Sequence, residues 1–334
     1  MRERKTHYHI CIGMVLVSLT TLAMNQVMAE GPRRNNGPVC ARYSVPPSLL
    51  KQSYQFAGET IPLDREDVRI RIRDTMNFLL MDARSVLTRW IIEGGRRQWL
   101  FEEILTKEGI PTEFVWFAPV ISGNGTSSPN RLPGVGWWAI ETPCSSREGI
   151  ALSKDSWHDD RLDLELATKC FAMRLKAIRK ELGTNSWLMA AAAYVTSTKS
   201  MLGYMEHWKT KNFWDIPLPE TAEQLVLRWI AVCIIQSNAE ALGLTIRQPK
   251  SLTYDSVTGI VLQKDLPISR MAQFIHTPVR TVLALNPKIK SSFGKVPAKV
   301  NGKRIKHSLA TPRGKGWTLV KQLKKNGYLL TKRK

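Results

Sequence analysis

Carboxylates and tryptophans are the side chains of this sequence with the clearest chemical potential. Glu113 begins an apolar run that ends at Ser122, and the block 134–140 contains two adjacent tryptophans and is followed by Glu141. A carboxyl group at the right position can donate a proton in general acid catalysis. The chain holds 11 Trp, and such rings suit sugar-stacking sites, although most of them are expected to pack in a core.

Metal chemistry finds no support in the sequence. His158 and His207 are isolated, and no spacing of Cys or His residues indicates a metal site. We therefore expect neither a metal nor a cofactor.

Helical patterns surround the region that carries these side chains. Apolar residues recur at helical spacing and predict helices at about 64–83, 85–92, 98–107, 112–122, 164–182 and from about 221 to Gly243. Asp64 and Thr112 are expected to cap two of these helices, and Gly94-Gly95 to end the second one. The acidic run before residue 164 suits a helix start. Residues 134–140 have the apolar character of a small β element.

The pattern changes after about residue 249. Residues 258–263 read as a strand, 269–275 as a helix after a serine cap, 281–286 as a helix that ends before Pro287, and 306–310 as a returning strand. Residues 316–334 form a basic, partly helical tail.

Several separate runs stand in the order found in a known enzyme family. They include Gly109-Ile-Pro-Thr-Glu113, Ser122, Gly136 and Trp138, then the runs 159–168, 187–197 (with Tyr194) and 213–221. This arrangement resembles the lytic murein transglycosylases of the membrane-bound type D class. The resemblance implies a mainly α, lysozyme-like α+β domain. It also implies cleavage between N-acetylmuramic acid and N-acetylglucosamine by one Glu. The C-terminal strand–helix–helix–strand order, with Leu-Asn-Pro after its second helix, resembles a divergent LysM-type module of small α/β fold that binds peptidoglycan.

The family's chemical groups are replaced at three matched positions. Ile121 stands at the catalytic Glu, Ala139 at a Gln and Val195 at an Asn. We therefore expect no residue to serve as the family acid, and Ser122, Gly136, Trp138 and Tyr194 to line what remains of a glycan-binding groove. Glu141 is a weak candidate for a relocated acid, whereas Glu113 matches a structural position of the family.

The N-terminus predicts export. Arg2, Arg4 and Lys5 precede an apolar run, and small residues before Glu30 offer a cleavage site. The predicted organisation is a signal peptide (1–29), a linker (30–60), a lysozyme-like domain (61–245), a LysM-like domain (250–315) and the basic tail (316–334). Whether the signal is cleaved or remains as an anchor stays open. The expected location is the periplasm or cell envelope.

The net charge of +21 is concentrated near the C-terminus. Residues 266–334 contain 17 Lys and Arg and no Asp or Glu. Such a field attracts anionic polymers or surfaces, for example wall peptides with free carboxylates or anionic lipid head groups. Export argues against nucleic acid as the partner.

Five cysteines are present, with Cys11 in the signal peptide. The other four, Cys40, Cys144, Cys170 and Cys233, allow three pairings, which the sequence does not resolve. Cys170 and Cys233 lie on apolar helix faces, so we expect them to be free buried thiols.

Three functions follow as hypotheses. The first is an exported protein that binds peptidoglycan glycan strands without cleaving them. The second is an active transglycosylase that uses Glu141, and the third is a scaffold that binds another envelope protein through the old groove or the basic region.

Overall fold

Helices dominate the computed structural model, which describes residues 45–123, 132–142, 144, 149–245 and 250–330. The predicted signal peptide, most of the linker, Cys11 and Cys40 lie outside the described residues, as do residues 331–334. The described helices before residue 245 are α1 Glu66–Leu80, α2 Arg84–Lys107, α3 Phe114–Ser122, α4 Leu164–Glu181, α5 Trp187–Val195, α6 Thr198–Trp208 and α7 Glu220–Ser237. A short hairpin, β1 Tyr54–Phe56 and β2 Glu59–Ile61, precedes them. The mainly α class expected from the sequence agrees with this arrangement.

The predicted break at Gly94-Gly95 was wrong. Helix α2 runs without interruption from Arg84 to Lys107. A Cβ at Gly94 would lie 2.9 Å from a ring carbon of Trp116 on α3. The glycine therefore does not end the helix. It allows α3 to approach α2 closely, and this packing offsets the low helix propensity of glycine.

Helix starts agree with the sequence only in part. Neither Asp64 nor Thr112 caps its helix, because α1 and α3 follow Arg65 and Glu113 without a side-chain capping bond. Asp163, by contrast, accepts hydrogen bonds from the backbone N–H groups of the first turn of α4. Two further differences are that α7 ends at Ser237 rather than near residue 243 and that α6 was not predicted.

A second hydrophobic core lies in the C-terminal part. Its elements are β3 Tyr254–Val261, β4 Leu266–Pro267, α8 Ile268–Phe274, α9 Val279–Leu285, β5 Lys295–Val296, β6 Lys299–Val300, β7 Lys303–Arg304, β8 Lys306–Pro312 and α10 Gly316–Lys325. β3 pairs antiparallel with β8, from Tyr254 opposite Pro312 to Val261 opposite Lys306. The strand–helix–helix–strand order is therefore present, while the LysM-like assignment stays a prediction. α8 follows Pro267 and has no side-chain cap, contrary to the serine cap that we expected.

The predicted tail is partly a core element. Leu319 and Leu323 of α10 are fully buried in the second core. Residues 316–325 therefore pack with the C-terminal part rather than extending from it.

The loop before α4 joins the two hydrophobic cores. Trp157 belongs to this loop, yet its ring is buried in the second core. Lys290 N–H donates to the Trp157 carbonyl at 2.9 Å, and Asp159 N–H donates to the Lys288 carbonyl at 2.9 Å. Lys288 Nζ lies 2.7 Å from Asp163 Oδ2. The described residues from Val45 onward accordingly form one compact unit.

The expectation for Cys170 was wrong, and that for Cys233 was confirmed in part, because its thiol is free but the residue is only half-buried. Cys170, fully buried on α4, forms a disulfide with Cys144. Cys233 is a free thiol, and its burial raises its pKa. An apolar helix face is compatible with either state, because the partner comes from a loop 26 residues earlier.

Within the described part of the chain, no helix has the length and apolar character needed to cross a membrane.

Candidate functional site

Helix α3 is the buried axis of the candidate site. Its nine residues are all buried, and Gly123, with a φ of 59°, ends it in the left-handed region. Its start is held from both sides. Trp229 Nε1 donates to the Glu113 carbonyl at 2.7 Å, and the Glu113 side chain accepts a hydrogen bond from the N–H of Ala57 at 3.0 Å. Glu113 thus anchors the helix, which agrees with the structural role expected for it.

The last turn of α3 places Ile121 and Ser122 in apolar surroundings. Ile121 is 0% exposed, and its carbonyl accepts a hydrogen bond from the N–H of Leu132 at 2.9 Å. The hydroxyl of Ser122 turns back along the helix and donates to the Ala118 carbonyl at 2.7 Å. An isoleucine side chain is stable at this position, because an apolar side chain needs no hydrogen-bond partner when it is buried.

The tryptophan block forms a tight turn against α4. Val135 and Ile140 make an antiparallel bridge. Gly136 has a φ of 74°, and a Cβ there would come within 2.4 Å of the Arg161 carbonyl oxygen. Ala139 also adopts a positive φ, of 47°. The close approach of this turn to the start of α4 accounts for glycine at position 136.

Trp138 is packed inside rather than displayed. Its ring is 0% exposed, and it stacks on Phe171 of α4 with 4.0 Å between ring centroids. Its Nε1 donates to Thr168 Oγ1 at 2.9 Å, so the indole is satisfied by α4. Trp138 therefore attaches the tryptophan block to α4 and does not face solvent.

A cavity of about 460 Å³ lies next to these elements. The residues that line it are Leu132, Pro133, Ala139, Glu141, Arg174, Ile178, Ala193, Tyr194, Val195, Thr196, Ser197 and Thr198. It therefore brings together Tyr194, Glu141, Ala139 and Val195, of which the last two are positions where the sequence resemblance predicts lost polar groups. Ile121 is absent from the described lining but is bonded to Leu132, which belongs to it.

Tyr194 closes one side of this cavity. Its hydroxyl donates to the Trp138 carbonyl at 2.6 Å, which ties the end of α5 to the tryptophan block. Burial raises the pKa of Tyr194, although the positive charge of Arg174 opposes this shift. The hydroxyl therefore stays protonated and continues to donate its hydrogen bond.

Glu141 is the only carboxylate among the described residues that line the cavity. Its side chain is exposed, while its backbone carbonyl accepts a hydrogen bond from Arg161 Nη1 at 2.5 Å. It stands at the rim, beside the turn that holds Ala139.

Ser122, Gly136 and Trp138 do not line this cavity. Gly136 lies instead at a neighbouring cavity of about 230 Å³, together with Arg97 and Trp137. The guanidinium carbon of Arg97 lies 4.4 Å from the Trp137 ring centroid. The structure thus places only Tyr194 and Glu141 of the predicted site residues at the larger cavity.

Arg161 is a supporting residue that the sequence reasoning did not single out. Its guanidinium is buried, bonds both Asp159 carboxylate oxygens at 2.9 and 2.7 Å, and donates to the carbonyls of Ile140 and Glu141. The hydrogen bonds to Asp159 raise the pKa of Arg161 against the opposing effect of burial. The charged run before α4 contains Arg161, but we interpreted that run only as a helix start. Its role in holding the tryptophan block was therefore not predicted.

Comparisons with known proteins point to the same enzyme family as the motifs. No protein-family model matches the chain. Two curated relatives, both named membrane-bound lytic murein transglycosylase D, from Escherichia coli strains K12 and O6:H1, are 22% identical to it over 190 residues. The match covers 56% of this chain and 41% of each relative, so the chain spans less than half the length of the relatives. This distant similarity supports a relationship to the lytic transglycosylases.

Proposed function

We propose that this chain is an exported peptidoglycan-binding protein, built on a lytic transglycosylase scaffold, that does not cleave the glycan. The observation that carries the proposal is the apolar environment of Ile121. The side chain at the matched position of the catalytic acid is fully buried at the end of α3, and no proton can be exchanged there.

The reaction of the family that the chain resembles depends on one carboxyl group. That group protonates the leaving glycosidic oxygen, and its carboxylate then takes a proton from the hydroxymethyl oxygen of muramic acid, which closes a 1,6-anhydro ring. General acid catalysis typically contributes about 10²–10⁴-fold to a rate. Because Ile121 performs neither step, and Ala139 and Val195 remove two more polar groups, the scaffold lacks the means for this chemistry.

Glycan binding requires less than cleavage does. A groove needs shape, a few well-placed polar groups and apolar faces. The cavity beside α3 offers the edge of Tyr194, the hydroxyls of Thr196 and Ser197 and the carboxylate of Glu141. Gly136 and Trp138 would hold its wall in place, and Ser122 would end the helix beneath it.

The basic C-terminal region supplies a second source of affinity. Residues 266–334 contain Lys and Arg but no Asp or Glu, so the region is strongly positive. Stem-peptide carboxylates of the wall would be attracted to this field, and added salt would screen the attraction. Sedimentation with insoluble peptidoglycan at low and high salt tests this point, because a protein absent from the pellet at both concentrations is not a peptidoglycan binder.

The decisive experiment is a digest of purified peptidoglycan, read by mass spectrometry for 1,6-anhydro muropeptides. We expect no such product from the native protein, and gain of product in Ile121→Glu would show that the groove is still intact. Ile121→Gln is the matched control, because glutamine has the size and polarity of glutamate but no carboxyl group. Circular dichroism of both variants establishes that they are folded.

Anhydro product from the native protein would refute the proposal. Loss of that product in Glu141→Gln would then identify Glu141 as a relocated acid. If the native protein neither cleaves nor sediments with peptidoglycan, a scaffold that binds an envelope protein becomes the better explanation, and crosslinking in the envelope would identify its partner.

A further inference from the structure

Helix α10 is held in one orientation on the C-terminal part of the chain. Leu319 and Leu323 insert into the second hydrophobic core. Asp255 of β3 accepts hydrogen bonds from the N–H groups of Gly314 and Gly316 at 2.8 and 3.0 Å, which fixes the start of the helix. The opposite face of α10 is therefore held permanently toward solvent.

That outward face combines one large aromatic ring with several lysines. Trp317 is 77% exposed, which is the highest value among the large hydrophobic side chains that the structure describes. Lys321, Lys324 and Lys325 follow it at four, seven and eight residues, the spacing that places side chains on the same helix face. All three lysines are exposed, and no ion pair within the described residues involves them.

An exposed indole ring keeps apolar surface in contact with water, which is unfavourable unless a partner covers the ring. Its ring prefers an environment that is apolar on one side and wet on the other, such as the boundary between lipid head groups and acyl chains. Lysines on the same face would lie at the head-group level and interact with anionic phosphates. A soluble polyanion would use the lysines but would leave the ring without an apolar partner.

We propose that the outward face of α10, formed by Trp317, Lys321, Lys324 and Lys325, binds the surface of membranes that contain anionic phospholipids. The helix lies along the surface, with the Trp317 ring at the head-group boundary and the lysines against phosphate groups. The surrounding region adds attraction, because no Asp or Glu occurs from residue 266 to the end of the chain. This proposal is independent of glycan binding, since α10 contributes no residue to the cavity beside α3.

Vesicle flotation tests the proposal with the full chain. The probes are vesicles made of equal parts phosphatidylglycerol and phosphatidylcholine, compared with vesicles of phosphatidylcholine alone. We expect binding to the anionic vesicles only. Trp317→Ala should weaken it about tenfold because apolar area leaves the interface, and Lys321→Ala with Lys324→Ala should weaken it about 25-fold, or roughly fivefold for each lysine.

Matched variants elsewhere on the surface serve as controls. Trp208 is also exposed, at 47%, at the end of α6, so Trp208→Ala should leave vesicle binding unchanged. Lys180 and Lys199 are exposed lysines on α4 and α6, and their joint replacement by alanine controls for lost charge. Unchanged circular dichroism is expected for all variants, because each altered side chain is exposed.

Three outcomes would overturn the proposal. One is no binding of the native protein to anionic vesicles. Another is equal weakening by the control variants and the α10 variants. The third is loss of binding in the lysine variant with full binding of Trp317→Ala, which would mean charge attraction without insertion of the ring. In that last case polyglutamate should bind as well as the vesicles do.

Discussion

The hydroxyl of Tyr194 donates a hydrogen bond to the backbone carbonyl of Trp138 across 2.6 Å. This bond connects the end of α5 to the tryptophan turn, two elements separated by 56 residues. Trp138 is fully buried and Tyr194 is half-buried at the cavity, so the bond stabilises the wall of the candidate groove.

Replacement of this tyrosine should therefore weaken the fold locally. We expect Tyr194→Phe to lower the free energy of unfolding by about 1–2 kcal/mol, because the Trp138 carbonyl loses its buried donor. Urea denaturation measures this change. Tyr204→Phe is the control, since no hydrogen bond of the Tyr204 hydroxyl is found among the described residues, and its stability should match that of the native protein. Equal effects of the two variants would contradict the role given to the bond.

Replacement by alanine should have opposite effects on stability at Gly94, which lies against Trp116, and at Gly203. Gly94→Ala should destabilise the protein by about 1–3 kcal/mol, because the new methyl group would lie 2.9 Å from the Trp116 ring. Gly203, in the middle of α6, has open space around its Cβ position, so Gly203→Ala should stabilise the protein by up to about 1 kcal/mol. Thermal unfolding compares the two. A stable Gly94→Ala variant would mean that α2 and α3 are able to separate without cost.

The disulfide between Cys144 and Cys170 links a loop to the buried face of α4. For a loop of this length, the chain-entropy account predicts a stabilisation of about 3.5 kcal/mol. We expect reductant, or Cys144→Ser, to lower the free energy of unfolding by this amount in a denaturant titration. Cys233→Ala, at the free thiol, should respond to reductant as the native protein does. A reductant effect that persists in Cys144→Ser would contradict this assignment.

His158 makes the stability of the loop before α4 depend on pH. Burial alone would lower the pKa of His158, but hydrogen bonds to Asp160 and Asp155 outweigh it, and the pKa is raised overall. The Nδ1 atom lies 2.8 Å from Asp155 Oδ1. A raised pKa in the folded state means that this contribution is complete below the ordinary value of 6.5 and is lost as pH rises through the folded value.

His307, whose ring centroid lies 5.5 Å from that of Trp157, has a pKa shifted in the opposite direction. Burial lowers the pKa of His307, helped by the positive charges of Lys288 and His158. Its contribution is therefore present at high pH and is lost as pH falls, so variants are needed to separate the two histidines. We expect His158→Gln to cost more stability at about pH 5 than at about pH 8. Urea denaturation at the two pH values measures this difference, and an equal cost at both would contradict the role given to the two carboxylates.

Local features of the sequence predicted those elements that depend on neighbours in the chain. Helical periodicity and the acidic run before residue 164 located α4, because Asp163 of that run reaches backbone groups only two and three residues away. The strand–helix–helix–strand order near the C-terminus was predicted for the same reason. Gly94-Gly95, in contrast, is a stop signal by its composition, and only the neighbouring ring of Trp116 explains why the helix continues.

The sequence motifs named candidate site residues but did not give their geometry. Tyr194, Ala139, Val195 and Glu141 do meet at one cavity, whereas Trp138 points into the core, where it stacks on Phe171. A tryptophan that displays its ring and one that buries it have the same sequence pattern. Their difference depends on which helix lies behind the turn.

The sequence by itself determined the chemical inventory of this protein: an apolar side chain at position 121, a basic C-terminal region and helices of set periodicity. Those properties belong to single residues or to residues a few positions apart. Only the tertiary structure decided that Cys170 pairs with Cys144, that Trp157 of the first part fills the second core and that α10 packs with its tryptophan outward. Each of these depends on contacts between distant segments, and the free energy of burial that selects them exists only once the chain has folded.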